Sequence, residues 1–288
     1  MTNNFSALSA TVIWFNPSLE DVEHILTYNN SFEKIYIIDN SENDNSVLAK
    51  KITNSVYVPN LSNIGIASAL NIGCQKAFDE NYEWIMTMDQ DSSWSKENLE
   101  QFLNACKNVP DSEIKSFAPV HRNQLKSLVG DLKYKFEKSS EELFILRKKV
   151  MTSGNLINLK AWKMVGGFNE DLFIDEVDHE FCYKLIHNDF KICEFQNIYM
   201  IHTLGHVKRT ILPRPCKHSG VRLYYIFRNM LYIKKHFPFE FKEEQYEKYM
   251  IVSVIQKFLE FKFSDLKYIR KSIKDFKHER FGKYDPNN

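Results

Sequence analysis

The sequence predicts an α/β protein built on a mostly parallel central sheet flanked by helices. Two observations carry this. Over the first hundred residues, short β-rich runs alternate with stretches whose apolar residues recur at helical spacing, and such βαβ units require parallel strands covered by helices. The chain also has 288 residues, 43% of them hydrophobic and 14% aromatic, with only 9 Gly and 8 Pro. That supplies a large core and excludes a disordered or fibrous chain.

Residues 11–15 read as the first strand, stopped by Asn16-Pro17. Ser18, with Asp21 three positions on, opens a helix over 19–29. Lys34–Asp39 (KIYIID) is the second strand, and a short helix over 46–51 leads to the third, Ser55–Pro59. Small and apolar residues at helical spacing predict a helix over 65–78, and 84–88 form a fourth strand ending at Asp89. A helix over 96–107 and a strand near 116–120 come next, whereas 121–150 show no usable period. Residues 151–168 read as a strand, a short helix and a Gly-Gly turn. The pattern is helical from Asp175 through His187, with Phe181, Cys182 and Leu185 inward, then extended over 191–195 and 198–201. From Gly220 onward it is all helical. With no repeat and no linker, residues 1–219 are expected to form the main domain and 220–288 a helical, basic appendage packed on it.

The net charge of +1 hides an asymmetry. Up to His206 the chain carries 19 Lys+Arg against 28 Asp+Glu, and after it 19 against 9, so a body of −9 precedes a tail of +10. An acidic body suits cations and a basic tail suits an anionic partner. Five cysteines without a CxxC argue for reduced thiols and a cytoplasmic setting. The N-terminal residues show no signal-peptide pattern and no apolar run reaches the roughly 18 residues of a membrane span, so membrane contact is expected to be peripheral.

In open α/β sheets ligands bind beyond the carboxyl ends of the strands, here Phe15-Asn16, Asp39-Asn40-Ser41 and Asp89-Gln90-Asp91. Asp89 and Asp91 fit either a turn that caps the next helix or a site for a hard divalent cation such as Mg²⁺ or Mn²⁺. Asp39-Asn40-Ser41 fits an Asx turn or a nucleoside site, and Asn63-Ile64-Gly65 fits a helix cap or a phosphate-binding helix start. In FIDEVDHEF, Asp175, Glu176, Asp178 and Glu180 crowd one helix start. Macrodipole compensation explains two or three acids there, and a general base beside a cation explains the excess. His202 and His206 come after as packed residues or as a further metal ligand.

The order of these signals resembles the family 2 glycosyltransferases of the GT-A fold, and most of all their bacterial rhamnosyltransferase branch: Phe-Asn-Pro, Asp-Asn-Ser, Asn-x-Gly-x-Ala-x-Ala-x-Asn, Asp-x-Asp, Ser-Gly-Asn-Leu, Gly-Gly-Phe, Phe-Ile-Asp-x-Val-Asp-x-Glu and His, over residues 10–230. The resemblance implies a GT-A nucleotide-diphospho-sugar transferase fold and these roles. Phe15, Asn16, Asp39, Asn63, Gly65, Asn71 and Asp89 would bind the nucleotide, and Ser153, Gly154 and Asn155 would lie beneath the donor sugar. Asp89, Asp91 and His202 would hold the cation. Asp178 would be the base, with Asp175 and Glu176 as rivals because Val177, not an acid, precedes it. HSGVRLYYIFRN (218–229) resembles a segment of the same branch.

The activity that the resemblance implies is an inverting, metal-dependent transfer of one sugar, rhamnose from dTDP-rhamnose or else a sugar from UDP-galactose or UDP-glucose. The acceptor would be a hydroxyl of a polyprenyl-diphosphate-linked glycan of a surface polysaccharide such as O-antigen or capsule, with no nucleic-acid partner. A nucleotidyltransferase would need a Gly-rich phosphate loop where Asn16-Pro17-Ser18 stands, and an inactive scaffold would have lost some of Asp91, Asp178 and His202. In the tail, apolar residues from Tyr246 to Phe276 alternate with Lys and Arg, which fits two helices that simply pack their apolar stripe on the body, a basic surface that docks on anionic lipid, or both, with the stripe inward and lysines facing lipid.

Overall fold

The computed structural model describes residues 7–123, 144–202 and 218–287. His206, Cys216 and most of the stretch without a period lie outside these, as does the side chain of His202. The first half alternates as expected: β1 (Ser9–Trp14), α1 (Leu19–Leu26), β2 (Lys34–Asp39), α2 (Ser46–Ala49), β3 (Ser55–Pro59), α3 (Ile66–Asp79) and β4 (Trp84–Asp89). Ser18 and Asp21 close a reciprocal capping box at the start of α1, which fixes where the chain leaves β1.

Period-2 alternation sorts the strands onto two buried faces. Val12, Trp14, Ile35, Ile37, Trp84 and Met86 point one way, toward α1 and α4 (Lys96–Asn108). Ile13, Tyr36, Ile38 and Ile85 point the other way, toward α3, α5 (Leu159–Met164) and α6 (Val177–His187). A sheet buried on both faces explains why these strands read as nearly continuous apolar runs.

The remaining strands are β5 (Ser92–Ser93), β6 (Ile114–Asn123), β7 (Phe144–Leu146), β8 (Asn155–Asn158) and β9 (Lys191–His202). The sheet order is β3-β2-β1-β4-β8-β6-β9-β5, with β7 beside β9. Strands β1 to β4, β6 and β9 run one way, and β5, β7 and β8 run against them. The two extended pieces expected at 191–201 are one strand. The register jump from Pro119↔Phe195 to Val120↔Tyr199 is the irregularity that breaks the pattern between them.

One boundary is corrected. The helix expected from Asp175 begins at Val177, because Asp175 and Glu176 both sit in the left-handed region at φ 63°. The acids therefore divide, two in a turn before the helix and two in its first turn.

After residue 218 come α7 (Gly220–His236), α8 (Glu243–Leu259) and α9 (Leu266–Lys277). Leu223, Phe227, Tyr246 and Ile269 make their shared core. The inward stripe expected of the tail is only half right: Tyr246 and Ile269 are buried, but Phe258, Leu259 and Phe263 are exposed. Among the described residues, no helix is long and apolar enough to cross a membrane.

Candidate active site

β1 is flanked by β2 on one side and β4 on the other, with Trp14 opposite Asp39 and Ile13 opposite Asp89. The two carboxylates thus mark the same sheet edge two strand spacings apart, roughly 10 Å. A nucleotide laid across the end of β1 would reach both.

Asp39 is 1% exposed and tightly oriented. One carboxylate oxygen accepts from the Ser41 amide (2.9 Å) and hydroxyl (2.5 Å), and the other from Asn45 Nδ2 and the Tyr57 hydroxyl, each at 2.8 Å. Burial, with Asp39 adding to it, pushes the Tyr57 hydroxyl above its ordinary range, so it remains a donor. The Asx turn is thus present, and with two donors on each oxygen the acceptor sites of Asp39 are filled. Asn45 and Tyr57 are members of this cluster that sequence reasoning missed; only the alternation of β3 could have pointed to Tyr57.

Phe15 is 49% exposed at the same edge. Its amide donates to Gln90 Oε1 (2.7 Å), and that of Asn16, at φ 50°, donates to the Ser41 hydroxyl (2.7 Å). The ends of β1, β2 and β4 are thereby tied to one another. Asn63 does not cap α3; its side chain accepts from the Gly65 amide (3.0 Å), and Gly65 itself precedes the helix. The Asn71 side chain is held by the loop after α5. Its amide nitrogen donates to Phe168 O and Glu170 Oε1, and its oxygen accepts from the Phe168 amide and Trp162 Nε1. These bonds pin the Gly-Gly turn to α3 and leave the amide engaged away from the strand ends.

Ser153, Gly154 and Asn155 enter β8 beside the end of β4, with Thr87 opposite Asn155. The buried Ser153 hydroxyl accepts from the Asp89 amide (3.0 Å) and donates to Ser92 Oγ (2.9 Å), and His121 Nε2 meets the Ser153 carbonyl at 2.7 Å. Asp91 lies in the turn before β5, whose Ser92 pairs with His202 of β9. The chain thus brings the backbone of His202 next to the Asp-x-Asp turn.

Among the described residues no three His, Cys, Asp or Glu side chains converge into a metal cage. The donor set still suits a hard cation, because Mg²⁺ is typically held by one or two carboxylates together with substrate phosphates.

The acidic turn is built by α7. Phe173, Asp175 and Glu176 all have positive φ without being glycine, a conformation that surrounding contacts must enforce. Asn229 Nδ2 reaches the carbonyl oxygens of Leu172, Ile174 and Asp175 at 2.8–2.9 Å. The wholly buried Arg228 donates to those of Asp171 and Leu172 (3.0 and 3.1 Å). Arg222 forks onto Asp175, Nη2 to Oδ1 at 2.9 Å, and the Phe173 ring stacks on Tyr225 at 5.1 Å.

Burial raises the Asp175 carboxyl despite Arg222. Burial also pushes Glu176 up, but the bond and charge of His179 (Oε2 to Nδ1, 2.7 Å) win and leave it lowered. Asp178, in the first turn of α6 and half-buried, makes neither side-chain pair, though its Oδ1 accepts from the His179 amide at 2.9 Å and its charge acts on the His179 ring.

Comparison with known proteins bears on the family and the fold. Residues 17–127 match the family described as Glycosyl transferase family 2. Over that span the chain is similar to the family 2 glycosyltransferases. It is 28% identical over 249 residues to the dTDP-rhamnosyl transferase RfbF of Shigella flexneri, a match spanning 81% of this chain and 82% of that one. Two solved structures share the GT-A fold at 13% identity. GalNAc-T7 with UDP, GalNAc and Mn²⁺ has a TM-score of 0.59, covering 80% of this glycosyltransferase and 47% of that chain. Staphylococcus aureus TarS 1–349 with UDP-GlcNAc has a TM-score of 0.53, covering 94% and 80%. This glycosyltransferase is accordingly rhamnosyltransferase-like in sequence and GT-A in fold.

Proposed function

We propose that this glycosyltransferase moves rhamnose from dTDP-rhamnose, with inversion, onto a hydroxyl of a polyprenyl-diphosphate-linked glycan at the cytoplasmic face of a membrane. The observation that carries the reading is the likeness to a dTDP-rhamnosyl transferase over four-fifths of both chains, on a chain whose acidic groups lie at strand ends and at the start of α6. Phe15 offers an exposed ring for the base, and Asp39, which now holds four donors, would accept from the base or ribose in place of one of them. Gly65 and the start of α3 lie beside it, and Ser153, Gly154 and Asn155 support the sugar.

Asp178 takes the proton of the acceptor hydroxyl as its oxygen attacks the anomeric carbon from the face opposite the leaving group. The new C–O bond forms as the bond to the diphosphate breaks, so one base and no covalent nucleophile suffices. Asp89 and Asp91, with His202 beside them in the fold, would hold Mg²⁺ or Mn²⁺, which supplies charge neutralisation to the departing diphosphate. Asp175 is committed to Arg222 and Glu176 to His179, which favours Asp178 as base.

The test is release of nucleoside diphosphate from dTDP-rhamnose, UDP-galactose and UDP-glucose in the presence of a polyprenyl-diphosphate-linked glycan. Turnover with dTDP-rhamnose and formation of a rhamnosylated lipid is the expected result. Turnover with a UDP-sugar alone would overturn the donor assignment.

A further inference from the structure

The outer face of α8 and the turn after it are apolar and uncovered. Ile251, Ile255, Phe258 and Leu259 are 52–63% exposed, and the ridge continues through Phe261 (82%) and Phe263 (49%). The phenylalanines touch one another, Phe258 to Phe263 at 5.1 Å and Phe261 to Phe263 at 6.3 Å. An exposed apolar ridge of this extent marks a surface that meets something.

What it meets is indicated by the next helix. Lys267, Arg270, Lys274 and Lys277 recur at spacings that put them on one face of α9, and all four are exposed. Among the described residues none of them pairs with a carboxylate, whereas Lys271, between them, is held by Asp275 at 3.0 Å. The opposite side of α9 is anchored by Ile269, Ser272 and Asp275, which face α7. Uncompensated cations therefore begin four residues after Phe263.

We infer that the ridge 251–263 inserts into an anionic membrane surface while Lys267, Arg270, Lys274 and Lys277 of α9 bind its headgroups. A second copy of the chain fits less well, since a two-fold contact sets the same patch against itself and would bring these four cations near their mates. The inference gives the proposed lipid-linked acceptor its docking surface and rests on that reading only for its purpose. It departs from a purely electrostatic contact, in which the phenylalanines would face inward. Because α7 carries both the α9 contacts and the residues that clamp the acidic turn, docking would orient the site relative to the membrane.

The test is co-sedimentation of the full chain with vesicles of phosphatidylcholine alone or mixed with phosphatidylglycerol. Binding to the mixed vesicles is expected, weakened but not abolished at about 0.5 M salt, where screening shortens to a few ångström. The joint change Phe258→Ser, Phe261→Ser and Phe263→Ser should lower partitioning roughly tenfold or more at either salt. Lys267→Gln, Arg270→Gln, Lys274→Gln and Lys277→Gln together should lower it at least about tenfold at low salt only. Phe261→Trp should show blue-shifted emission on mixed vesicles, which keeps the test alive should the triple variant misfold. Equal binding to both vesicle types, no binding, or a dimer in solution that the serine variant abolishes would each overturn the inference. Vesicle binding without transfer from any donor would uphold docking and sink the reaction reading; transfer to a water-soluble acceptor without vesicle binding would do the reverse.

Discussion

Asn229 of α7 holds the carbonyl oxygen of Asp175 at 2.8 Å, across 54 residues of sequence. The same nitrogen reaches Leu172 and Ile174, so one buried amide gathers three carbonyls of a turn that contains three left-handed residues. The turn that carries Asp175 is thus held by the helical tail as well as by its own segment.

Asn229→Ala leaves those carbonyls short of a donor in a buried setting. A loss of about 1–3 kcal/mol is expected in urea unfolding, with turnover falling while the KM for the donor stays near its starting value. Unchanged turnover in a folded variant would show that the turn keeps its shape without the amide.

Asp178→Asn should lower turnover by roughly 10²-fold or more, with donor affinity nearly intact. Asp175→Asn differs because it strands Arg222, and its stability cost should fall between the ~1 kcal/mol of an exposed pair and the ~3 kcal/mol of a buried one. If Asp175→Asn or Glu176→Gln were instead silent in stability and severe in turnover, the base would be that residue.

Asp91 lies half-buried in the turn before β5, so Asp91→Ala should remove transfer in a chain that still folds cooperatively. A chelator should silence the unaltered protein, and added Mg²⁺ or Mn²⁺ should restore it. Full activity in the chelator would remove the cation from the mechanism.

Glu176 and His179 make a pH-dependent pair. His179 is pulled down by burial but raised overall by Asp178 and Glu176, so its contribution is complete below the ordinary 6.5 and is lost as pH rises through its raised value. Glu176, lowered overall, contributes fully above the ordinary 4.5 and loses this as pH falls through its lowered value. The stability gap between the unaltered protein and His179→Gln should therefore be widest between about pH 4.5 and 6.5 and narrow on both sides. A gap that grows steadily above neutral pH would contradict the pairing.

The first four strands and their acidic ends are legible in the sequence because each βαβ unit writes its own period and caps, as Ser18 and Asp21 do. Legibility stops where the cause is distant. Nothing local marks Phe173, Asp175 and Glu176 as left-handed, since Asn229 and Tyr225 impose that from another helix. Asn71 sits at family spacing, yet its amide is taken by a loop 97 residues away. In the tail, one apolar stripe serves both a core and an exposed ridge, and helical period alone does not separate them.

The two halves of the site meet at Gly65 and Phe173. Gly65 has φ 91°, and a Cβ there would lie 2.7 Å from Phe173 Cδ2 and 2.8 Å from its carbonyl oxygen, which accepts from the Ile66 amide. The ring cannot retreat freely because it stacks on Tyr225. On the nucleotide side the Gly65 carbonyl accepts from Asn40 Nδ2 at 3.0 Å. Gly65→Ala should therefore push on both sides at once, costing about 3 kcal/mol from backbone strain and overpacking together. It should raise donor KM as well as lower turnover, unlike Asp178→Asn. Gly166→Ala is the control: its φ is also positive, at 82°, but nothing lies within 4 Å of its added Cβ, so strain acts alone. That variant should lose about 1 kcal/mol and keep its kinetics. Matching stability and KM in the two alanine variants would show that Gly65 does not couple the nucleotide turn to the acidic turn.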